Sequence, residues 1–146
     1  MPQDIDVSAR STADAATVYA LVESGATWPT WTGLGSFELE RPGEGAPEGV
    51  GAIRVFRTWP FTSREEIVER VPGRRLSYVL LSGMPLRGYR ADVDLTPSAE
   101  GTTIRWHSTF DVTVPGTGWF WRLFLGRFIR DCVNGLAREA ASRSHT

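Results

Sequence analysis

The 146-residue sequence contains no lysine and only one cysteine. All 16 basic side chains are therefore arginine, which excludes chemistry that proceeds through a lysine Schiff base. A single cysteine excludes a disulfide within the chain. Two histidines and one cysteine give no cluster with the spacing of metal ligands, so we expect no metal site and no cofactor.

The sequence also lacks an excess of charge of one sign and any long apolar run. Sixteen basic and 17 acidic residues give a net charge of −1, which argues against a nucleic-acid partner. No run approaches the roughly 20 apolar residues of a membrane span. The first ten residues have no apolar stretch after a basic start, so we expect no signal peptide. These absences favour a cytoplasmic protein with one domain over residues 1–146 and a core of about 4–140.

Periodicity in the chain predicts seven strands and one long helix. A helix over 15–23, capped by Thr12 or Asp14, and a single turn at 27–31 follow the first strand. The last helix runs from Trp119 to about Ser142, with an apolar stripe from Trp121 to Leu136. The alternation of apolar and polar residues places strands at 5–11, 36–41, 51–59, 62–71, 74–81, 87–96 and 102–113.

This order of elements predicts an α+β fold built around a hollow. Short turns make the last six strands antiparallel neighbours, and a twisted sheet of about seven strands curls around the long helix. A single helix, about 10–12 Å across, does not fill the concave side of such a sheet. Six tryptophans and seven phenylalanines are available to line the gap. We therefore expect an apolar cavity between the sheet and the helix.

The chain resembles the START/polyketide cyclase/Bet v 1-like (SRPBCC) superfamily, and among its members the small bacterial polyketide cyclase/dehydrase-like proteins. The likeness extends over roughly residues 4–140 and rests on the order and spacing of several short motifs. These are Ala13–Tyr19, Trp28–Trp31, Gly49–Arg54, Pro72–Leu76, the strand around Tyr89, Thr96-Pro97 with Gly101–Trp106, and Gly135-Leu136.

The resemblance implies a helix-grip fold: a curved, seven-stranded antiparallel sheet wrapped around a long C-terminal helix, with two short helices after the first strand. It also implies a cavity that binds a small hydrophobic molecule. Carriers, receptors, lipid-transport proteins and cyclases share this fold, so the fold alone does not decide between binding and catalysis.

A second likeness concerns the entrance to that cavity. Thr62–Glu65 followed by Arg74-Arg75 is similar to a stretch of the plant hormone receptors of this superfamily, in which the adjoining loops close the cavity. Here the corresponding gates are Trp59–Phe61 and Ser82–Leu86.

The predicted ligand-binding residues are the inward positions of the strands, the short turn and the last helix. Tyrosine, tryptophan and serine among them would orient a mostly apolar ligand by a few hydrogen bonds. The set comprises Trp28, Trp31, Phe37, Leu39, Phe56, Thr58, Glu65, Ile67, Val79, Leu81, Tyr89, Ala91, Val93, Trp106, Ser108, Phe110, Phe124 and Phe128.

Two carboxylates are weak catalytic candidates. Glu65 shares the inward side of its strand with Ile67, where desolvation would raise its pKa, although pairing with an arginine is an alternative. Asp131 flanks the helix stripe and either reaches the cavity edge or forms a surface ion pair. His107 is expected on the outer face, His145 in the tail, and Cys132 in the core as a small hydrophobe.

The start of the last helix carries more aromatics than one core can accept. Trp119 and Phe120 therefore line the cavity entrance or form an exposed patch for a partner, including a second copy of the chain. Three functions remain open: a carrier or sensor of a small hydrophobic molecule, a polyketide cyclase or dehydratase acting in the same cavity, and an interaction module.

Overall fold

The computed structural model describes residues 2–58 and 60–144. The first half contains β1 (Gln3–Ser11), α1 (Ala15–Glu23), a 3-10 turn (Gly25–Thr27), α2 (Trp28–Trp31) and β2 (Ser36–Arg41). The second half contains β3 (Ile53–Thr58), β4 (Phe61–Val71), β5 (Arg75–Ser82), β6 (Leu86–Ser98), β7 (Gly101–Val112) and α3 (Gly118–Ser144). The predictions for Trp59 and His145 fall outside the described residues.

All seven strands form one antiparallel sheet in the order β1-β7-β6-β5-β4-β3-β2. Strands β2 to β7 are a meander, and β1 pairs with the last strand, so that Ile5 lies opposite Ser108. The long helix α3 packs against β1, β7 and α1. The predicted α+β helix-grip fold is confirmed.

Local chemistry explains where the short helices begin. Asp14, one of the two predicted caps, accepts a hydrogen bond from the backbone N–H of Thr17 at 2.8 Å, which satisfies a donor that the first turn of α1 leaves free. Pro29 occupies the first turn of α2, where its missing N–H costs nothing. This short helix is fixed from inside by Trp28, whose indole N–H donates to the Val22 carbonyl at 3.0 Å.

Gly135 sets the distance between α2 and α3. A β-carbon at this position would lie 2.0 Å from the Trp31 carbonyl oxygen, so only glycine permits the observed approach. The predicted stripe of α3 is largely buried, with Leu125, Ile129, Cys132 and Leu136 in the core. No helix of the described ranges 2–58 and 60–144 is long and apolar enough to cross a bilayer.

The prediction of which β5 residues face inward is wrong, because the alternation is out of phase by one residue. Val79 lies opposite the exposed Arg90 on the outer face, and Leu81 is 42% exposed. Tyr78 and Leu80 point to the concave side instead, opposite Ala91 and Glu65 respectively. The stretch Tyr78–Leu81 is apolar at every position, so alternation does not distinguish its two faces, and a bulge near Leu81 shifts the register further.

Candidate functional site

A pocket of about 210 Å³ lies between the concave face of the sheet and the first turns of α3. We call it the inner pocket. Strands β3 to β6, the segment after α2 and the turn between β5 and β6 complete its wall. The lining residues are Trp28, Gly33, Leu34, Thr58, Phe61, Ser63, Glu65, Tyr78, Leu80, Gly83, Met84, Tyr89, Phe124, Leu125 and Phe128.

The pocket has an exposed rim and a buried floor. Phe61, at the start of β4, and Phe124, on α3, are 46% and 45% exposed and belong to the rim. Trp28, Tyr78, Tyr89 and Leu125 are buried and form the floor. Access to the floor therefore passes between Phe61 on β4 and Phe124 on α3.

Glu65 places a carboxyl group at the pocket wall. Its Oε1 is fully buried and finds no hydrogen-bond partner among the described residues. Burial raises the pKa of Glu65 to about 7, although the positive charge of Arg54 opposes this rise. The side chain keeps some accessible surface because it faces the pocket. Near neutral pH this group both gives up and accepts a proton.

Arg54 lies behind the pocket wall, directly opposite Glu65 on β3. It is 0% exposed, and its guanidinium carbon lies 4.5 Å from the centre of the Trp28 ring. Its ion pair goes to Glu48 at 3.7 Å, and its Nη1 donates to the Val22 carbonyl at 3.4 Å. Its Nε and Nη2 have no hydrogen-bond partner among the described residues.

Two tyrosines complete the polar part of the floor. The rings of Tyr78 and Tyr89 lie 6.3 Å apart, and burial raises the pKa of both phenols. Trp106 Nε1 lies next to the Tyr78 phenol, and Ser108 Oγ lies next to the Tyr89 phenol. Both atoms are buried, and neither makes a hydrogen bond of normal geometry with a described residue. The phenols are therefore neutral hydrogen-bonding groups at neutral pH.

Not all predicted ligand-binding residues reach the inner pocket. Trp28, Thr58, Glu65, Tyr89, Phe124 and Phe128 line it. Others point inward but lie in the core beside the pocket or, as Phe37 and Leu39 do, pack half-buried against it. These are Trp31, Phe37, Leu39, Phe56, Ile67, Ala91, Val93, Trp106, Ser108 and Phe110.

Several wall residues were absent from the predicted ligand-binding set. Tyr78 and Leu80 were missed through the error in the phase of β5. Ser63 was missed although it lies two residues before Glu65, and the same alternation identifies it. Phe61, Gly83 and Met84 belong to the two predicted gate loops, and all three line the pocket.

The other predicted polar residues lie away from the inner pocket. Asp131 is exposed and lines an open surface groove of about 510 Å³ beside Thr30 and Arg138. His107 lies on the outer face, as predicted, but is paired there: its Nε2 is 2.7 Å from Asp94 Oδ2. Cys132 is buried in the core, and burial raises the pKa of its thiol.

An aromatic patch on the first turns of α3 adjoins the rim of the pocket at Phe124. Trp119 and Leu123 are each 61% exposed, and Phe120 is 47% exposed. Phe124 belongs both to this patch and to the pocket wall, with its ring stacked 6.1 Å from that of Phe120. Of the two alternatives, Trp119 and Phe120 form an exposed patch and are not among the lining residues of the inner pocket. A contact between two copies through Trp119 and Phe120 stays a prediction.

Residues 2–141 match the family described as polyketide cyclase / dehydrase and lipid transport. The chain belongs to this family. No curated protein sequence matches the chain.

Solved structures agree with the family fold. A START superfamily protein from Mycobacterium smegmatis superposes with a TM-score of 0.82 at 10% identity, over 95% of this chain and 97% of its own. A Thermobifida fusca protein is 25% identical, with a TM-score of 0.78 over 95% and 93% of the two chains. StfQ, the di-domain ARO/CYC from the steffimycin biosynthetic pathway, gives 0.78 at 18% identity, over 100% of this chain and 53% of StfQ.

Proposed function

We propose that this family member binds a small, mainly apolar molecule in the inner pocket, as a carrier or sensor. The observation that carries the proposal is the wall: apolar and aromatic side chains around one carboxyl group and two phenols. Ligand sites combine such apolar surface with a few polar groups that fix orientation. The size of the pocket sets the size of the ligand.

A volume of about 210 Å³ corresponds to a molecule with one or two rings. For comparison, an apolar cavity of about 150 Å³ in another protein accepts benzene. A long polyketide chain would need the rim to open at Phe61 and Phe124. We therefore propose a compact aromatic or cyclic ligand for the closed form.

Binding of 2-phenylethanol, followed by isothermal titration calorimetry, tests the proposal. A tryptophan at position 80 fills the pocket, whereas a tryptophan at position 81 projects from the outer face. We expect saturable one-to-one binding to the native chain and to Leu81→Trp, and none to Leu80→Trp. Equal binding by both variants, or no binding by the native chain, contradicts the proposal.

A second candidate function is a polyketide cyclase or dehydratase-type reaction in the same pocket. The observation that favours it is Glu65, whose pKa of about 7 suits a general acid or base. Its carboxylate would remove a proton from a carbon next to a carbonyl group and return one from the resulting carboxyl. StfQ, a di-domain ARO/CYC, has the same fold.

Deuterium exchange into 1-phenylbutane-1,3-dione tests this second candidate without knowledge of the natural substrate. The enzyme reading predicts that the native chain accelerates exchange at the carbon between the carbonyls and that Glu65→Gln loses the acceleration. Glu66→Gln is the matched control, because Glu66 lies on the opposite face of β4, across from Val79. Exchange at the background rate with the native chain would leave binding as the function.

A further inference from the structure

The inner pocket has an acidic and aromatic wall. Glu65 is the one carboxyl group among the described lining residues, and no arginine or histidine is among them. Aromatic rings present their negative faces to a bound cation, which attracts it. Six rings border the pocket: Trp28, Phe61, Tyr78, Tyr89, Phe124 and Phe128.

Arg54, the basic residue opposite Glu65, already makes an ion pair with another carboxyl group. Arg54 lies behind the Trp28 ring, outside the set of lining residues, and its ion pair goes to Glu48 at 3.7 Å. Two carboxyl groups thus surround one guanidinium, and an arginine keeps its proton in proteins. Arg54 also attracts the charge of Glu65, so one positive charge serves two acids, and Glu65 is the acid that faces the pocket.

The remaining groups that face Glu65 are neutral at neutral pH. Tyr78 on β5, Tyr89 on β6 and Cys132 on α3 all interact with its charge. Burial raises the pKa of each of the three, so all three stay neutral, and a phenol or a thiol has no positively charged form that could balance Glu65. An ionised Glu65 therefore shares the single positive charge of Arg54 with Glu48, and its buried Oε1 has no donor among the described residues.

Three kinds of ligand head group meet this site differently. A carboxylate repels an ionised Glu65 and supplies no donor. A hydroxyl supplies one donor but no charge. An ammonium group supplies up to three donors and a positive charge, and the surrounding rings stabilise it further.

Resting on the proposed function, we propose that the inner pocket selects a small amine, bound as its cation, with the nitrogen at Glu65 and an apolar body against the aromatic rings. Binding of the cation holds Glu65 in its ionised form. Since the empty pocket takes up a proton as the pH falls, binding of the amine must release that proton at low pH. Amine affinity then decreases about tenfold for each pH unit below the pKa of Glu65.

Calorimetric titrations with 2-phenylethylamine, 2-phenylethanol and phenylacetate test this inference. At pH 8 we expect the amine to bind at least tenfold more tightly than the alcohol, with phenylacetate the weakest. Between pH 8 and pH 5 amine affinity should decrease by more than tenfold, while alcohol affinity does not decrease. This pH series needs only the native chain, so it remains decisive even where a variant folds poorly.

Two variants complete the test. Glu65→Gln should abolish the preference for the amine over the alcohol, whereas Glu66→Gln, on the outer face, should keep it. If the native chain binds the alcohol as tightly as the amine, or binds phenylacetate best, the amine inference is wrong and the proposed function stands. If none of the three probes binds, both are wrong.

Discussion

Arg54 and Glu65 lie directly opposite each other on β3 and β4, yet the ion pair of Arg54 is made with Glu48 at 3.7 Å. Facing residues on an antiparallel pair normally interact through their side chains. Here each side chain keeps at least one buried polar atom that has no hydrogen-bond partner among the described residues. The arrangement leaves Glu65 free to exchange a proton or to accept a donor from a ligand.

Removal of the Arg54 charge should raise the pKa of Glu65 above its value of about 7, because Arg54 attracts the ionised form. We expect this rise in Arg54→Gln, measured by the infrared band of the Glu65 carboxyl group as a function of pH. The difference spectrum against the double variant with Glu65→Gln assigns the band. An unchanged or lower pKa would show that the two side chains do not interact across the strands.

The raised pKa of Glu65 also predicts how stability depends on pH. The unfolded chain releases this proton near pH 4.5, whereas the folded chain holds it until about pH 7. The folded state is therefore favoured below pH 4.5 and loses stability as the pH rises to 7, by on the order of 3 kcal/mol.

Urea denaturation of the native chain and Glu65→Gln at pH 4 and pH 8 measures this effect. We expect Glu65→Gln to have the higher free energy of unfolding at pH 8 relative to the native chain, with the difference much smaller at pH 4. Other carboxyl groups cancel because both chains contain them. A difference that does not change with pH would mean that Glu65 titrates as in an unfolded chain.

Gly135 and Gly126 form a matched pair on α3. Alanine at 135 would meet the Trp31 carbonyl, and overpacking of this kind costs about 1–3 kcal/mol. Alanine at 126 meets nothing within 4 Å, and in a helix it stabilises by about 0.5–1 kcal/mol relative to glycine. Thermal denaturation of both variants should thus show shifts of opposite sign. A neutral Gly135→Ala would show that α2 is not held tightly against α3.

Much of the fold was predictable because each element carries its own periodicity. β6 and β7 alternate cleanly around Ala91 and Trp106, and the stripe of α3 predicts the buried Leu125 and Ile129. Tyr78–Leu81 fails for a physical reason, since four consecutive apolar residues contain no alternation. For this reason the prediction placed Val79 and Leu81 on the inner face of the sheet, although they lie on the outer face.

The site was less predictable because it depends on contacts between distant segments. Arg54 shares the phase of Phe56 and Thr58, so alternation places it inward, but a charged residue is an unexpected neighbour of Trp28. Which inward residues line the pocket and which are covered by packing depends on where α2 and α3 cross the sheet. Residue spacing within one strand contains no such information.

The central claim is that a guest binds in the inner pocket, and intermolecular nuclear Overhauser effects from bound 2-phenylethanol test it most directly. The account predicts contacts from the ring protons of the ligand to Leu80, Tyr89 and Phe128, which line the pocket. Contacts confined to Trp119 and Leu123, on the exposed aromatic patch, would contradict it.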